Sequence, residues 1–246
     1  MLRCVGLLLL LAPSAGRRRL SSWQQLAKLA ANDPNVNERF GHSVAIAGEF
    51  VVASAENGER VFVLGTLDGG ATYSEVAQLT ANDAAAGDEF GKAVAIDGGT
   101  VVVGAYGKDG QTGAVCVSRT TDAWDMYDEY KPLDAAAAGD RFGVSVAIDG
   151  DTIVVGAHYE NNERGAVYVF RSSDGGATYH EVAKLTASDA AADDEFGISV
   201  AIYKDVIVVG TYHAESAYVY RTTDGWNTHT EIKLTASDGA AERRFG

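Results

Sequence analysis

The chain is poor in cysteine, in proline and in positive charge. Of 246 residues only 2 are cysteine, Cys4 and Cys116. A mature chain that had lost Cys4 could build no internal disulfide framework. Cys116 lies in the apolar run Ala114-Val115-Cys116-Val117, where a thiol serves as a small buried hydrophobe. The 3 prolines stand against 28 glycines, a balance that suits many short strands turned by glycine. With 20 basic against 34 acidic side chains the formal charge is −14, which excludes a nucleic-acid surface, since phosphate contacts need a basic face. No apolar run is long enough to cross a bilayer as a helix, so membrane attachment would have to come through a domain outside this chain. Asn-x-Ser/Thr acceptors are absent. So are the Gly-x-Ser-x-Gly elbow, the His-Glu-x-x-His pair and the phosphate-binding glycine loop. The five histidines, His42, His158, His180, His213 and His229, fall at different offsets and suggest no shared metal.

What is present begins with a leader. Arg3 precedes a short apolar run over 4–12, and small residues follow at 12–16, the pattern of a secretory signal. Arg17, Arg18 and Arg19 come directly after it, and positive charge there opposes translocation. Residues 1–20 are therefore expected to be a signal peptide with a basic segment, making the protein secreted or surface-exposed. An organelle-targeting sequence is the alternative.

From residue 21 onward the chain repeats. Phe-Gly pairs stand at Phe40-Gly41, Phe90-Gly91, Phe142-Gly143 and Phe196-Gly197, with a fifth at Phe245-Gly246. Their spacings of 50, 52, 54 and 49 residues are those of a repeat architecture. Each repeat reads as four strands. A Phe-Gly strand meets a tight turn such as Asp97-Gly98 or Asp149-Gly150, whose residues tolerate positive φ. The second strand (100–105, 152–157, 206–211) is almost wholly apolar, which implies burial on both faces. A third strand follows at 60–64, 113–118, 165–170 and 216–220. A fourth, at 73–79, 179–185 and 228–234, alternates as an outer strand should. Short, β-branched, glycine-broken segments rule out helices. The expected fold is all-β: a β-propeller of about four four-stranded blades starting near 40, 90, 142 and 196. The alternative is an incomplete arc of a larger ring. Residues 23–31 match the fourth strand of an earlier blade, and Phe245-Gly246 opens an unfinished one.

These residues resemble the FG-GAP repeat, in which Phe-Gly is followed by Gly-Ala, as in Phe90-Gly91 with Gly104-Ala105 and Phe142-Gly143 with Gly156-Ala157. That repeat builds the propeller of integrin α chains, so the resemblance implies a binding or adhesion module. The family's final proline is replaced here by Tyr106 and His158, and its calcium loop between the first two strands has shrunk to tight turns. Calcium needs about six to eight oxygen ligands, so it is not carried over to those turns. Two further stretches, 66–73 and 172–179, resemble Asp-box hairpins, with a degraded copy at 222–229. Asp68 and Asp174 are expected to hold their own turns rather than to catalyse.

The polar residues collect in two sets of loops that a propeller places on one face. The loops between blades carry Asp83, Asp88, Asp134, Asp140, Asp189 and Asp194. These either hold turns or form a weak calcium site. The loops between second and third strands carry Tyr106, Asp109, His158, Tyr159, Asn161, Tyr212 and His213, residue types that combine contact area with hydrogen bonding. The expectation is a non-enzymatic module that recognises a protein or glycan through this face. Its alternatives are the accessory propeller of a larger sialidase- or phospholipase-like hydrolase, and a purely structural scaffold.

Overall fold

The computed structural model describes residues 27–30, 39–120, 124, 128–133 and 137–235. The leader over 1–20, most of 23–31, Asp134 and Phe245-Gly246 lie outside them. The described chain is four antiparallel sheets of four strands, each sheet one repeat in sequential order. Blade 1 holds β1 (Phe40–Ala47), β2 (Phe50–Ala55), β3 (Arg60–Gly65) and β4 (Ser74–Leu79). Blade 2 holds β5 (Phe90–Asp97), β6 (Thr100–Ala105), β7 (Ala114–Arg119) and β8 (Asp128–Leu133). Blade 3 holds β9 (Phe142–Asp149), β10 (Thr152–Ala157), β11 (Ala166–Arg171) and β12 (His180–Leu185). Blade 4 holds β13 (Ser199–Tyr203), β14 (Val206–Gly210), β15 (Ser216–Arg221) and β16 (Thr230–Thr235). The first strands form the inner line: β5 packs between β1 and β9, and β9 against β13.

Burial follows from this stacking. Every residue of β10 is buried, because Ile153, Val155 and Ala157 face blade 2 while Val154 faces blade 4. The continuous apolarity of second strands is thus a consequence of having a blade on either side. Between blades lie three apolar layers. In each, the Phe of one blade (Phe90, Phe142 or Phe196, at most 1% exposed) meets the valines of the blade before it. Phe142 also stands edge-on to Tyr168 and Phe170 of its own third strand, at 5.5 and 6.1 Å, an arrangement aromatic quadrupoles favour.

The Phe-Gly pair makes a turn as well as a wedge. Val144 N–H donates to the Arg141 carbonyl at 3.3 Å, and Gly143 has φ 88°. A closed i to i+3 turn with positive φ at its third residue is a type II turn, which favours glycine there. The same bond recurs at Arg39–His42, Glu89–Lys92 and Glu195–Ile198. In blade 4 the inner strand starts later, at Ser199, and Phe196 makes a parallel bridge to Gly165 of blade 3, as Phe142 does to Gly113 of blade 2. Residues 27–30 form no strand, but Leu29 packs on Ala53, Ala55, Phe62 and Leu64, the side of blade 1 away from blade 2.

A glycine of the second strand matters for a different reason. A Cβ on Gly156 would lie 2.0 Å from the Gly197 carbonyl oxygen of the next blade, and one on Gly104 equally close to that of Gly143. Backbone meets backbone there, and nothing flexible can yield. Gly156→Ala is expected to cost about 3 kcal/mol or more of stability. Gly150→Ala, at φ 57° with open space around it, should cost about 1 kcal/mol. Urea unfolding of both variants checks this, and similar losses would mean the blades are not in backbone contact.

Candidate functional site

The loops between blades and those between second and third strands share one face, as the topology requires. They are sewn together by the backbone. The carbonyls of Asp88, Asp140 and Asp194 accept N–H from Gly107, Tyr159 and Tyr212 at 3.0, 3.2 and 3.0 Å. The residue before each Phe is left-handed in all four blades: Arg39, Glu89, Arg141 and Glu195 have φ between 52° and 57°. None is glycine, so each carries a charged side chain onto this face at a strained position.

At the junction of blades 2 and 3 these side chains assemble a stack. The Arg141 guanidinium lies 3.8 Å from the ring centre of Tyr159 and 5.7 Å from that of Tyr106. Lys92 approaches the Tyr106 ring at 5.1 Å. Such contacts contribute about 0.5–2 kcal/mol each and hold the rings in place. Burial, with a hydrogen bond to Glu89, pushes the Tyr106 hydroxyl up to about 12, so it remains a donor. On the blade 1 side, Lys92 reaches buried Glu56 at 3.2 Å, where Arg39 at 3.0 Å and His42 at 3.2 Å also converge. Burial pushes the Glu56 carboxyl up, but hydrogen bonds from Arg39 and Lys92 outweigh it and hold it below its ordinary value.

The sequence-derived candidates are distributed unevenly over this face. Tyr106 and Tyr159 are brought together, half-buried, through Arg141. Asp109 and Asn161 are exposed on the loop tips with left-handed backbones. Tyr212 and His213 stand edge to face at 4.6 Å near blade 4, with His213 3.7 Å from Glu195. His158 differs from the expected contact residue: it is 4% exposed, stacked under Tyr159 at 4.4 Å, and supports the face from below. Its Nδ1 finds no hydrogen-bond partner among the described residues. Arg141, Lys92 and Glu56 were not among the candidates. Aligning the repeats on Phe would have found Arg141, since the preceding position alternates Arg, Glu, Arg, Glu.

Four stretches, 23–73, 73–117, 133–170 and 179–220, match the FG-GAP repeat. The chain belongs to the FG-GAP repeat family. No curated protein matches its sequence. Among solved structures, a provisionally assigned 6-phosphogluconolactonase from Bacteroides uniformis is similar with TM-score 0.58 at 10% identity, over 79% of this chain and 54% of that one. Saccharomyces cerevisiae Sqt1 is similar with TM-score 0.49 at 11% identity, over 80% of this chain and 48% of that one. The chain thus spans about half the length of these structures, and the first of them supports the fold alone.

Among the described residues, the acids of these FG-GAP loops are already engaged and do not fit calcium. Asp88, Asp140 and Asp194 each accept the N–H three residues earlier, from Ala85, Ala137 and Ala191, at 2.9, 2.7 and 2.7 Å. Asp83 pairs with Lys108 at 2.8 Å, and Asp189 with Lys233 and the Tyr218 hydroxyl. No three metal-binding side chains converge among the described residues. Asp97 and Asp149, in the shortened first turns on the opposite face, instead accept N–H from Gly150 and Lys204 of the following blades. In the hairpin turns on that face, Asp68 and Asp174 accept a backbone N–H and a hydroxyl from Thr72 and Thr178, and a hydroxyl from Thr66 and Ser172. The hydroxyl of Thr72, then its N–H, and the Thr66 hydroxyl hold the Asp68 carboxyl well below its usual range.

His158 links the site to pH. Burial first, then the charges of Arg141 and Lys92, pull its value down to about 4 from 6.5. Between those values the unfolded chain binds more protons than the folded one, so stability is full above pH 6.5 and declines as pH falls toward 4. The melting temperature is expected to drop by several degrees across that window, and by less in His158→Gln. Equal drops in both would remove His158 as the source.

Proposed function

We propose that this chain is a non-catalytic binding module that recognises a protein or glycan through the loop face, working outside the cell. The observation that carries the reading is the Tyr159–Arg141–Tyr106 stack with Lys92 beside it. Rigid aromatic rings under a fixed guanidinium offer contact area and planar hydrogen-bond donors at little entropic cost, the chemistry of binding hot spots. A hollow on this face, bounded by Arg39, Glu56, Asn57, Glu59, Gly87 and Glu89, holds about 230 Å³. That is below the roughly 300–1,000 Å³ of small-molecule sites, which favours a broad ligand surface over a pocket. Secretion is supported by the leader-like pattern over 1–20. No nucleophile–base pair stands out on the face among the described residues, and the lactonase likeness at 10% identity brings no chemistry with it.

A screen against glycans and extracellular-matrix proteins tests the proposal. Arg141→Ala and Tyr159→Ala should each weaken any ligand found by about tenfold or more. Leu67→Ser, on the opposite face and fully exposed, should leave binding unchanged. A ligand that ignores Arg141 and Tyr159, or hydrolysis of a glycoside by the purified chain, overturns it.

A further inference from the structure

The four charged residues that precede the Phe-Gly pairs share a backbone conformation but differ in their partners. Arg39 donates to the Glu56 carboxylate at 3.0 Å, and Glu195 lies 3.7 Å from His213. Glu89 accepts from the Tyr106 hydroxyl. Arg141 pairs with no carboxylate among the described residues, in a chain whose formal charge is −14. Its Nε donates to the Gln111 side-chain oxygen at 3.3 Å, which takes up one edge of the guanidinium. The Tyr159 ring, 3.8 Å away, supports a flat face, with Tyr106 at 5.7 Å. The end formed by Nη1 and Nη2 donates to no atom of the described residues, and neither nitrogen is buried. With φ held at 57° and the side chain fixed by the rings and Gln111, this arginine has little freedom left to lose on binding. Two parallel N–H groups at a fixed end match the two oxygens of a carboxylate.

The surroundings of that end are polar in a specific way. Tyr159, held between Arg141 and the His158 ring, has a hydroxyl with no hydrogen-bond partner among the described residues. Beyond Tyr106 the character turns from donor to acceptor. Glu89 is half-buried there and borders the hollow of about 230 Å³ with Glu56 and Glu59. Glu56 is closed by Arg39 and Lys92, and Glu59 by the N–H groups of Gly87, Glu89 and Phe90. Glu89 keeps acceptor sites beyond its bond to Tyr106, since a carboxylate offers about four.

We propose that this face binds an acidic sugar, its carboxylate on the Nη1–Nη2 end of Arg141 and its ring hydroxyls on the Tyr159 hydroxyl and the Glu89 carboxylate. The inference rests on the reading of the loop face as a binding surface and names the chemistry of the ligand. A negative group follows from the guanidinium end that no acid of the chain occupies. A single charge follows from the neighbours: Glu56, Glu59, Glu89 and the overall −14 repel a polyanion. A polyhydroxyl scaffold follows from the acceptor side, because sugar hydroxyls donate to a carboxylate while a second acid or an apolar side chain gains nothing there. An aspartate on a protein surface would use Arg141 equally well, but would set peptide and apolar groups against Glu89. The hollow is also smaller than a drug-sized site and on the scale of one sugar ring.

The test is calorimetric titration of the full chain at neutral pH with two singly charged sugars, sialyllactose and glucuronic acid linked to xylose. The methyl ester of each keeps the scaffold and removes the charge, and an aspartate-bearing tripeptide with blocked ends supplies the carboxylate without the sugar. The acidic sugars should bind with Kd of about 0.1–1 mM, and their esters about tenfold more weakly or worse. Arg141→Lys keeps the charge and loses the paired N–H groups, so it should weaken binding about tenfold while leaving the circular dichroism unchanged. Tyr159→Phe should weaken it about threefold or more, and Arg221→Gln, at the far end of β15, should leave it as it is. Esters that bind as well as the acids remove the carboxylate from the proposal, and an Arg141→Lys variant with full affinity removes the guanidinium. A tripeptide that binds more tightly than both sugars assigns the face to a protein partner. No heat from either acidic sugar at about 5 mM, well above the expected Kd, overturns the proposal outright. In each of these cases the broader reading stands if the screen of glycans and matrix proteins still yields a ligand lost in Arg141→Ala and Tyr159→Ala. It falls as well if that screen is empty.

Discussion

The architecture depends on one close approach: in blades 3 and 4 the carbonyl of the glycine after Phe lies against the second strand of the blade before it. At Gly104–Gly143 and Gly156–Gly197 no side chain intervenes, and the sheets come as near as backbones can. The Phe rings then fall into the valine layers, and the inner strands line up. The joint of blades 1 and 2 shows how narrow the tolerance is. Ser54 takes the place of the second-strand glycine, and a Cβ on Gly91 would approach its Cβ to 2.9 Å. That junction keeps a glycine on one side only, and the Ser54 hydroxyl is turned back to the backbone of Ser43 in its own blade.

The same turn that lets glycine approach also shapes the loop face. The residue before Phe must be left-handed to enter the turn, and in this chain it is always charged. Arginine and glutamate therefore project from fixed backbones beside Glu56, Tyr106, His158 and Tyr212 in the loops that follow the second strands. Strain at these positions costs about 1 kcal/mol or more apiece and is carried by the valine layers below. The face is rigid because the fold imposes its backbone, not because its side chains pack tightly. The alternation of sign explains why the cations find aromatic or acidic neighbours instead of repelling one another. Arg141 settles on Tyr159 and Tyr106, and Arg39 and Lys92 close on Glu56.

The strands were legible in the sequence because periodic Phe-Gly pairs and continuous apolar runs report burial directly. The bounds differ most at β13, which begins at Ser199, whereas β1, β5 and β9 begin at their Phe. The hairpin turn at Thr120 was missed. Its hydroxyl accepts the Trp124 N–H at 3.1 Å, as those of Thr66, Ser172 and Thr222 accept from Gly70, Gly176 and Trp226. Residues with a side chain replace the second glycine there, and the buried aromatic changes position: Trp124 and Trp226 fill the layer that Tyr179 fills from three residues further along in blade 3. A pattern anchored on Gly-Gly and Tyr cannot see that exchange. The site was harder to read. His158 and Tyr159 are adjacent in sequence and polar alike, and only the stacking of blades decides that one ring supports the other. Arg141 stands between the acidic loop and the Phe-Gly pair, and nothing in the sequence sets it beside Tyr106 or Tyr159.

Loop length decides how each joint is held. The loops after β6 and β10 are long enough to offer backbone: Gln111 and Thr112 carbonyls accept from Arg141 and Phe142, and Glu163 and Arg164 carbonyls from Glu195 and Phe196. The loop after β2 spans only residues 56–59 and cannot reach. A single carboxylate makes the contact instead, with Glu59 taking the N–H of Glu89 and of Phe90. A charged acceptor in place of two carbonyls keeps the hydrogen bonds but adds a negative charge beside Glu89 and the buried Glu56. Arg39, His42 and Lys92 gather at that end of the face and offset it. The crowding of cations around blade 1 is therefore a structural consequence of a shortened loop, whereas Arg141, where the loops are long, lies on Tyr159 and Tyr106 and donates to Gln111.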